Sequence, residues 1–237
     1  LPIVFWSHGG WSYRNDGSEW AEHLASHGYV VVGVDHFEGS LVVYPDGTYL
    51  YTDGSDLTGR DLSVQLLQQR VRDFAVVLDE MARWNQNDDF FAGRLNVQNA
   101  AAMGISYGGG AAAEFCRVDP RGKAAVVLEG YFQNVDTLLA VGLSKPVLSM
   151  YRGDTSDLDL FNKLKQDAVW FQIRYTEHES FSSFYWIITS ATLERRRETA
   201  RTIRDYMLWF LNKHLKGSTD PMPPPANYPQ VFNFKQK

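Results

Sequence analysis

The chain has 237 residues, 44% of them hydrophobic, and its 23 basic and 28 acidic side chains leave a net charge of −5. That apolar content is too high for a disordered chain, and mild acidity is no electrostatic footprint for nucleic acid. No apolar run approaches the length of a membrane span, and Cys116, the single cysteine, excludes an intrachain disulfide.

In chain order, residues 3–7 read as a strand that ends on His8-Gly9-Gly10. Residues 18–27 read as a helix closed by Gly28. The apolar run Tyr-Val-Val-Val-Gly-Val over 29–34 predicts a strand buried on both faces. Tyr44, Tyr49, Leu50 and Tyr51 flank Pro45-Asp46-Gly47, which predicts an inserted hairpin over 43–52. Leu62, Leu66, Val71, Phe74, Val77, Leu78 and Met81 recur at helical spacing over 59–84. Further strands are expected at 100–104, 124–129, 146–151 and 169–174, with a short helix over 158–166. A long amphipathic helix over 193–215 is stopped by Gly217, and the tail Pro221-Met222-Pro223-Pro224-Pro225 cannot continue it. Strands alternating with helices predict a mainly parallel sheet covered on both faces. The whole of 1–237 is expected to be one domain.

Right-handed crossovers place the C-terminal ends of all those strands on one edge, where such sheets carry their sites. The edge would hold His8-Gly9-Gly10, Asp35-His36, Ser106, Glu129, Asp154 and the loop around His178. The central motif is Gly104-Ile105-Ser106-Tyr107-Gly108, between an apolar strand and a helix of small residues. A serine on so sharp a turn projects its hydroxyl away from the sheet, and the glycines remove Cβ atoms that would clash. Serine, acid and histidine also follow one another in the chain order this strand–turn–helix motif requires. Cys116, inside the small-residue helix, reads as a packed thiol. His23, His27 and His214 read as surface or capping groups, His36 as a candidate pocket residue, and His8 as a group that shapes its own loop. No set of residues has the spacing of a zinc site, and no metal or other cofactor is expected.

Several stretches together resemble the α/β-hydrolases, in particular the plasma platelet-activating-factor acetylhydrolases and dienelactone-hydrolase-like esterases. They are Phe5-Trp6-Ser7-His8-Gly9-Gly10, the segment from Leu24 to His36, the tyrosine hairpin, the serine turn, and Ile173 to Phe181. There are departures: Ile105 stands where the family usually has histidine, and Tyr107 where phenylalanine or methionine is commoner. The resemblance implies an α/β-hydrolase fold whose usual first edge strands are missing here, as in a trimmed product. It also implies a serine esterase acting on short or medium acyl esters, possible substrates including platelet-activating-factor-like phospholipids.

Ser106 is then the expected nucleophile and His178 the general base. The acid is a choice between two residues. Asp154 holds the position most α/β-hydrolases use, whereas Glu129 holds the one used, as aspartate, by the acetylhydrolase branch. Glu129 is favoured, because a carboxylate at the buried end of a central strand is costly unless a partner such as histidine pairs with it. Asp154 falls in a polar turn where an aspartate needs no special reason. The backbone amides of Gly10 and Tyr107 are the expected oxyanion donors. Trp11, Tyr131 and Phe181 are expected in the substrate pocket, with Tyr13, Phe132, Phe184, Tyr185 and Trp186 also near the edge. A cutinase-like polyester hydrolase, with Asp154 as acid, is the alternative enzyme. A protein that kept the fold and lost catalysis is the alternative outside enzymes. The Arg195-Arg196-Arg197 run leaves peripheral contact with anionic lipid open. The single cysteine fits a cytoplasmic chain, and equally an exported one whose presequence has been removed.

Overall fold

The computed structural model describes residues 1–52, 59–153, 158–188 and 190–237. The chain opens with strand β1 (Pro2–Ser7), helix α1 (Ser18–Ser26) and strand β2 (Val30–Val34). A hairpin, β3 (Leu41–Val43) with β4 (Tyr49–Tyr51), precedes the long helix α2 (Arg60–Asn87). Then come β5 (Asn96–Ile105), α3 (Tyr107–Val118), β6 (Gly122–Leu128) and α4 (Asp136–Val141). The chain continues through β7 (Val147–Arg152), α5 (Asp159–Lys163), β8 (Ala168–Ile173), α6 (Tyr185–Ile188), α7 (Leu193–Lys216) and β9 (Val231–Gln236).

Seven strands form one sheet in the order β2-β1-β5-β6-β7-β8-β9. Every neighbouring pair is parallel except β8 with β9. Successive side chains on a strand point to opposite faces, and the core divides accordingly. Ile3, Phe5, Ala100, Ala102, Ala125 and Val127 pack with residues of α2, α3, α4 and α5. Val4, Trp6, Ala101, Met103, Ala124 and Val126 pack with α1 and α7. Such strands must be apolar on both faces. The strand expected over 29–34 to be buried on both faces is instead the edge strand β2, of whose residues only Val34 is buried, because among the described residues no further strand covers its outer side in the sheet.

The alanines of β5 have a packing reason. They leave room for α3 to lie close, and α3 itself is buried from Tyr107 through Cys116. Helix α7 ends on Gly217 at φ 69, a left-handed C-cap that glycine adopts without strain. From β1 the chain steps outward to β2, then crosses back over β1 to β5 and proceeds the other way. The crevice between the C-terminal ends of β1 and β5 is therefore a topological switch point, where open α/β sheets bind ligands.

Candidate active site

Ser106 sits in that crevice, between β5 and α3, with φ 55 and ψ −121. Such a conformation is strained for any residue with a Cβ, and the surroundings must hold it. The Ser106 N–H donates to Leu128 O at 2.9 Å, and its carbonyl accepts from Gly109, Gly110 and Tyr131. The flanking glycines are sterically obligatory. A Cβ on Gly104 would lie 2.5 Å from the Gly108 carbonyl, and one on Gly108 would lie 2.1 Å from the Ser7 carbonyl oxygen. The second contact shows how tightly the end of β1 presses on the start of α3. That closeness brings the His8–Gly10 loop alongside the serine, with the Cβ position of Gly9 3.8 Å from Ser106 Cβ.

Glu129 follows β6 with φ 49, and its side chain is 4% exposed. Its Oε1 accepts the Arg152 N–H at 2.6 Å, and its Oε2 lies 3.1 Å from His178 Nδ1 and 3.4 Å from Arg152 Nε. The buried carboxylate thus has the partners that burial demands. His178 opens the short 3-10 turn His178–Phe181 after β8, and its side chain is 39% exposed. A capping box between Glu177 and Ser180 fixes that turn. Because Nδ1 faces the carboxylate, Nε2 is the imidazole nitrogen left for proton transfer. Asp154 lies outside the described residues.

A cavity of about 670 Å³ opens beside the serine, lined by Gly10, Trp11, Glu38, Ser63, Leu66, Ser106, Tyr107, Tyr131 and Asn134 among others. Trp11 and Tyr131 are therefore where a pocket was expected. Phe181 is not: it is 0% exposed and packs in the core between the sheet, α1 and α7. Its carbonyl accepts the Trp20 indole N–H, and an apolar side chain just after a site histidine is here a core anchor for the turn. Phe132 and Tyr185 are buried too, and Phe184 stacks edge-on against Tyr13. The Trp186 side chain lies outside what is described.

His36 is likewise absent from the cavity wall. It is fully buried, with Nε2 3.1 Å from Ser7 Oγ and Nδ1 2.7 Å from Asp73 Oδ2. Burial first, then the Arg70 charge, pushes its pKa well below the usual histidine value. His8 is also buried, with Nδ1 2.7 Å from the Gly9 carbonyl oxygen. Desolvation, then Arg70 and His36, keep it neutral as well.

Arg70 and Glu38 were not singled out in the sequence. Arg70 is 0% exposed, and its Nε donates to Glu38 Oε1 at 2.5 Å. A signal existed: Arg70 falls on the same stripe as Leu66, Phe74 and Leu78, so a charge there had to be buried and paired. Among the described residues, no group of three or more His, Cys, Asp or Glu side chains could hold a metal ion, and no helix is long and apolar enough to cross a membrane.

Compared with solved structures, the chain is similar to a ferulic acid esterase from Streptomyces cinnamoneus. The TM-score is 0.80 at 24% sequence identity, over 98% of this chain and 73% of that one. This is the α/β-hydrolase fold. No family model matches the chain, and no curated protein matches it by sequence. Within the α/β-hydrolase frame, the Ser106 turn, the Glu129–His178 pair and the His8–Gly10 loop share one edge of the sheet.

Proposed function

We propose that this α/β-hydrolase-fold protein is a serine carboxylic-ester hydrolase with Ser106, His178 and Glu129 as its triad. The observation that carries the reading is the buried Glu129 carboxylate hydrogen-bonded to His178 Nδ1 on the edge that bears the strained Ser106 turn. Ser106 Oγ attacks the ester carbonyl while His178 Nε2 takes its proton. Glu129 holds the tautomer and offsets the charge on the imidazolium. The oxyanion is received by the Gly10 and Tyr107 amides, which donate to no backbone acceptor among the described residues. His178 returns the proton to the leaving alcohol, giving an acyl-enzyme. Water activated by the same imidazole then releases the acid.

The substrate is a short or medium acyl ester, a class that includes platelet-activating-factor-like phospholipids. Support comes from the size of the cavity and from Trp11, Leu66, Tyr107 and Tyr131 on its wall. The aromatic wall and the similarity to a ferulic acid esterase favour one further reading, a hydroxycinnamate ester. Hydrolysis of p-nitrophenyl acetate, butyrate and octanoate and of methyl ferulate tests both, beside Ser106→Ala. Activity lost in the variant supports serine chemistry, and the ranking of substrates sizes the acyl site. A folded wild-type protein inert to all four would sink the proposal.

A further inference from the structure

We propose that Arg70 is the positioning residue of the oxyanion hole, aligning through one buried guanidinium both backbone amides that receive the developing charge. The inference rests on the ester-hydrolase reading above and deepens it.

A fully buried arginine is costly unless its donors are matched, so the matches show what it is for. Nε is taken by Glu38. Nη1 donates to the His8 carbonyl and, at 3.2 Å, to Ser7 Oγ. Nη2 donates to the Gly9 carbonyl at 3.3 Å. The same Gly9 oxygen accepts His8 Nδ1 at 2.7 Å.

The Gly9 carbonyl and the Gly10 N–H belong to one planar peptide unit and point in opposite directions. Two donors pulling on that oxygen therefore fix where the Gly10 N–H points, and polarise it as a donor. On its other side, the guanidinium carbon lies 4.7 Å from the centre of the Tyr107 ring. Tyr107 supplies the second amide, so one side chain touches the residues behind both. A planar fork suits this task, and an ammonium does not reproduce it.

The rest of the cluster holds the fork still. Ser7 Oγ, His36 and Asp73 run in a chain behind it, and Gln69 Nε2 donates to the second Asp73 oxygen at 2.8 Å. His8 and His36, the histidines that face Arg70, are both kept neutral, so neither competes with it for Glu38.

The experiment uses the intact chain in two variants, Arg70→Lys and Glu38→Gln. Ester kinetics are read beside inhibition by an alkylboronic acid, whose tetrahedral adduct on a serine places an oxygen in the oxyanion hole. In Arg70→Lys, kcat should fall about 100-fold, the usual effect of losing one oxyanion donor. KM should stay within threefold, and the boronate inhibition constant should rise by the same factor as kcat/KM falls. Glu38→Gln keeps an acceptor of the same shape for Nε but removes its charge, so the same split should appear at about tenfold. If Arg70→Lys does not fold, Glu38→Gln decides alone. Variants that fold and keep kcat and boronate affinity within twofold, or change only KM, overturn the proposal even where melting temperature drops. A wild-type protein that neither cleaves esters nor binds boronate overturns the ester-hydrolase reading, and this inference with it. An active wild type with unaffected variants overturns this inference alone.

Discussion

Gly108→Ala perturbs the joint between β1 and α3 by a single methyl group. The new Cβ would stand 2.1 Å from Ser7 O and 2.5 Å from His8 O, both backbone atoms that cannot swing aside. Carbon and oxygen in close contact sit about 3.3 Å apart, so the turn and the loop must separate by about 1 Å. Overpacking of this kind costs about 1–3 kcal/mol, and rigid backbone on one side puts this case at the upper end. At about 2–4 °C per kcal/mol for a chain of this size, the melting temperature should drop by about 6–12 °C. The same 1 Å separates the Gly10 amide from Ser106, and a misplacement of that size lowers turnover about 100-fold. Thermal unfolding by circular dichroism, with p-nitrophenyl butyrate turnover well below the transition, reads both. Gly10→Ala is the steric control for the melting temperature alone, because nothing lies within 4 Å of its Cβ position. A Gly108→Ala protein with unchanged melting temperature and kcat within twofold of wild type would refute the reasoning.

Three more perturbations read other parts of the molecule. Glu129→Gln should lower kcat about 1,000- to 10,000-fold with little change in KM, since the amide cannot stabilise an imidazolium, whereas Asp154→Asn should stay within threefold; the reverse ranking in steady-state kinetics would move the acid to Asp154. Asp16, buried and bonded to Trp6 Nε1 and Ser12 Oγ, has its pKa raised to about 6, chiefly by desolvation, against 3.8 in the unfolded chain. A raised carboxyl pKa contributes stability in full below the unfolded value and loses it as pH climbs through the folded one, a span of about 3 kcal/mol. The stability of Asp16→Asn relative to wild type should therefore rise between pH 4 and pH 6 and level off above, as measured by urea unfolding at each pH; a constant difference would contradict the assignment. Cys116 is buried, donates to Ala124 O at 3.3 Å, and has a thiol pKa pushed up to about 12 by burial, so a thiol reagent should label it only after unfolding.

The strands of the parallel core were legible because burial on both faces leaves an uninterrupted apolar run, as at residues 124–128 of β6. Val30–Val34 carries such a run too, but it is the edge strand and only Val34 is buried, so hydrophobicity alone did not mark its place in the sheet. The serine turn was legible because Gly104 and Gly108 are demanded by contacts that any structure of that shape must make. Strand β9 was not anticipated. Its residues Val231–Gln236 alternate weakly, follow a proline-rich tail, and are half or fully exposed, so little hydrophobic signal marks them. Helix α4, at six residues, is too short to establish a period. The hairpin was expected over 43–52, but pairs Leu41–Val43 with Tyr49–Tyr51, since its exposed tyrosines give no burial pattern to set the ends. Phe181 and His36 were misplaced for a shared reason: proximity to a site residue in sequence does not fix which way a side chain turns. The pairing of Arg70 with Glu38 joins residues 32 apart, and only the fold brings them together.

The positive-φ residues bear on how this protein could be altered. Among the described residues, Trp11, Ser106, Glu129, Tyr175 and Asn233 hold non-glycine side chains at φ between 49 and 62, and all but Asn233, in β9, follow strand ends on the edge that bears the candidate site. Each such position costs about 1–3 kcal/mol. Glycine at any of them would relax the backbone, and at Ser106 or Glu129 it would remove a side chain on which the proposed triad depends. Part of the chain's unclaimed stability thus sits at two positions where, on the proposed mechanism, drawing on it ends activity. Selection for heat resistance alone should drift toward an inert fold, while hardening that keeps turnover must come from α7, β9 and the outer faces of the helices.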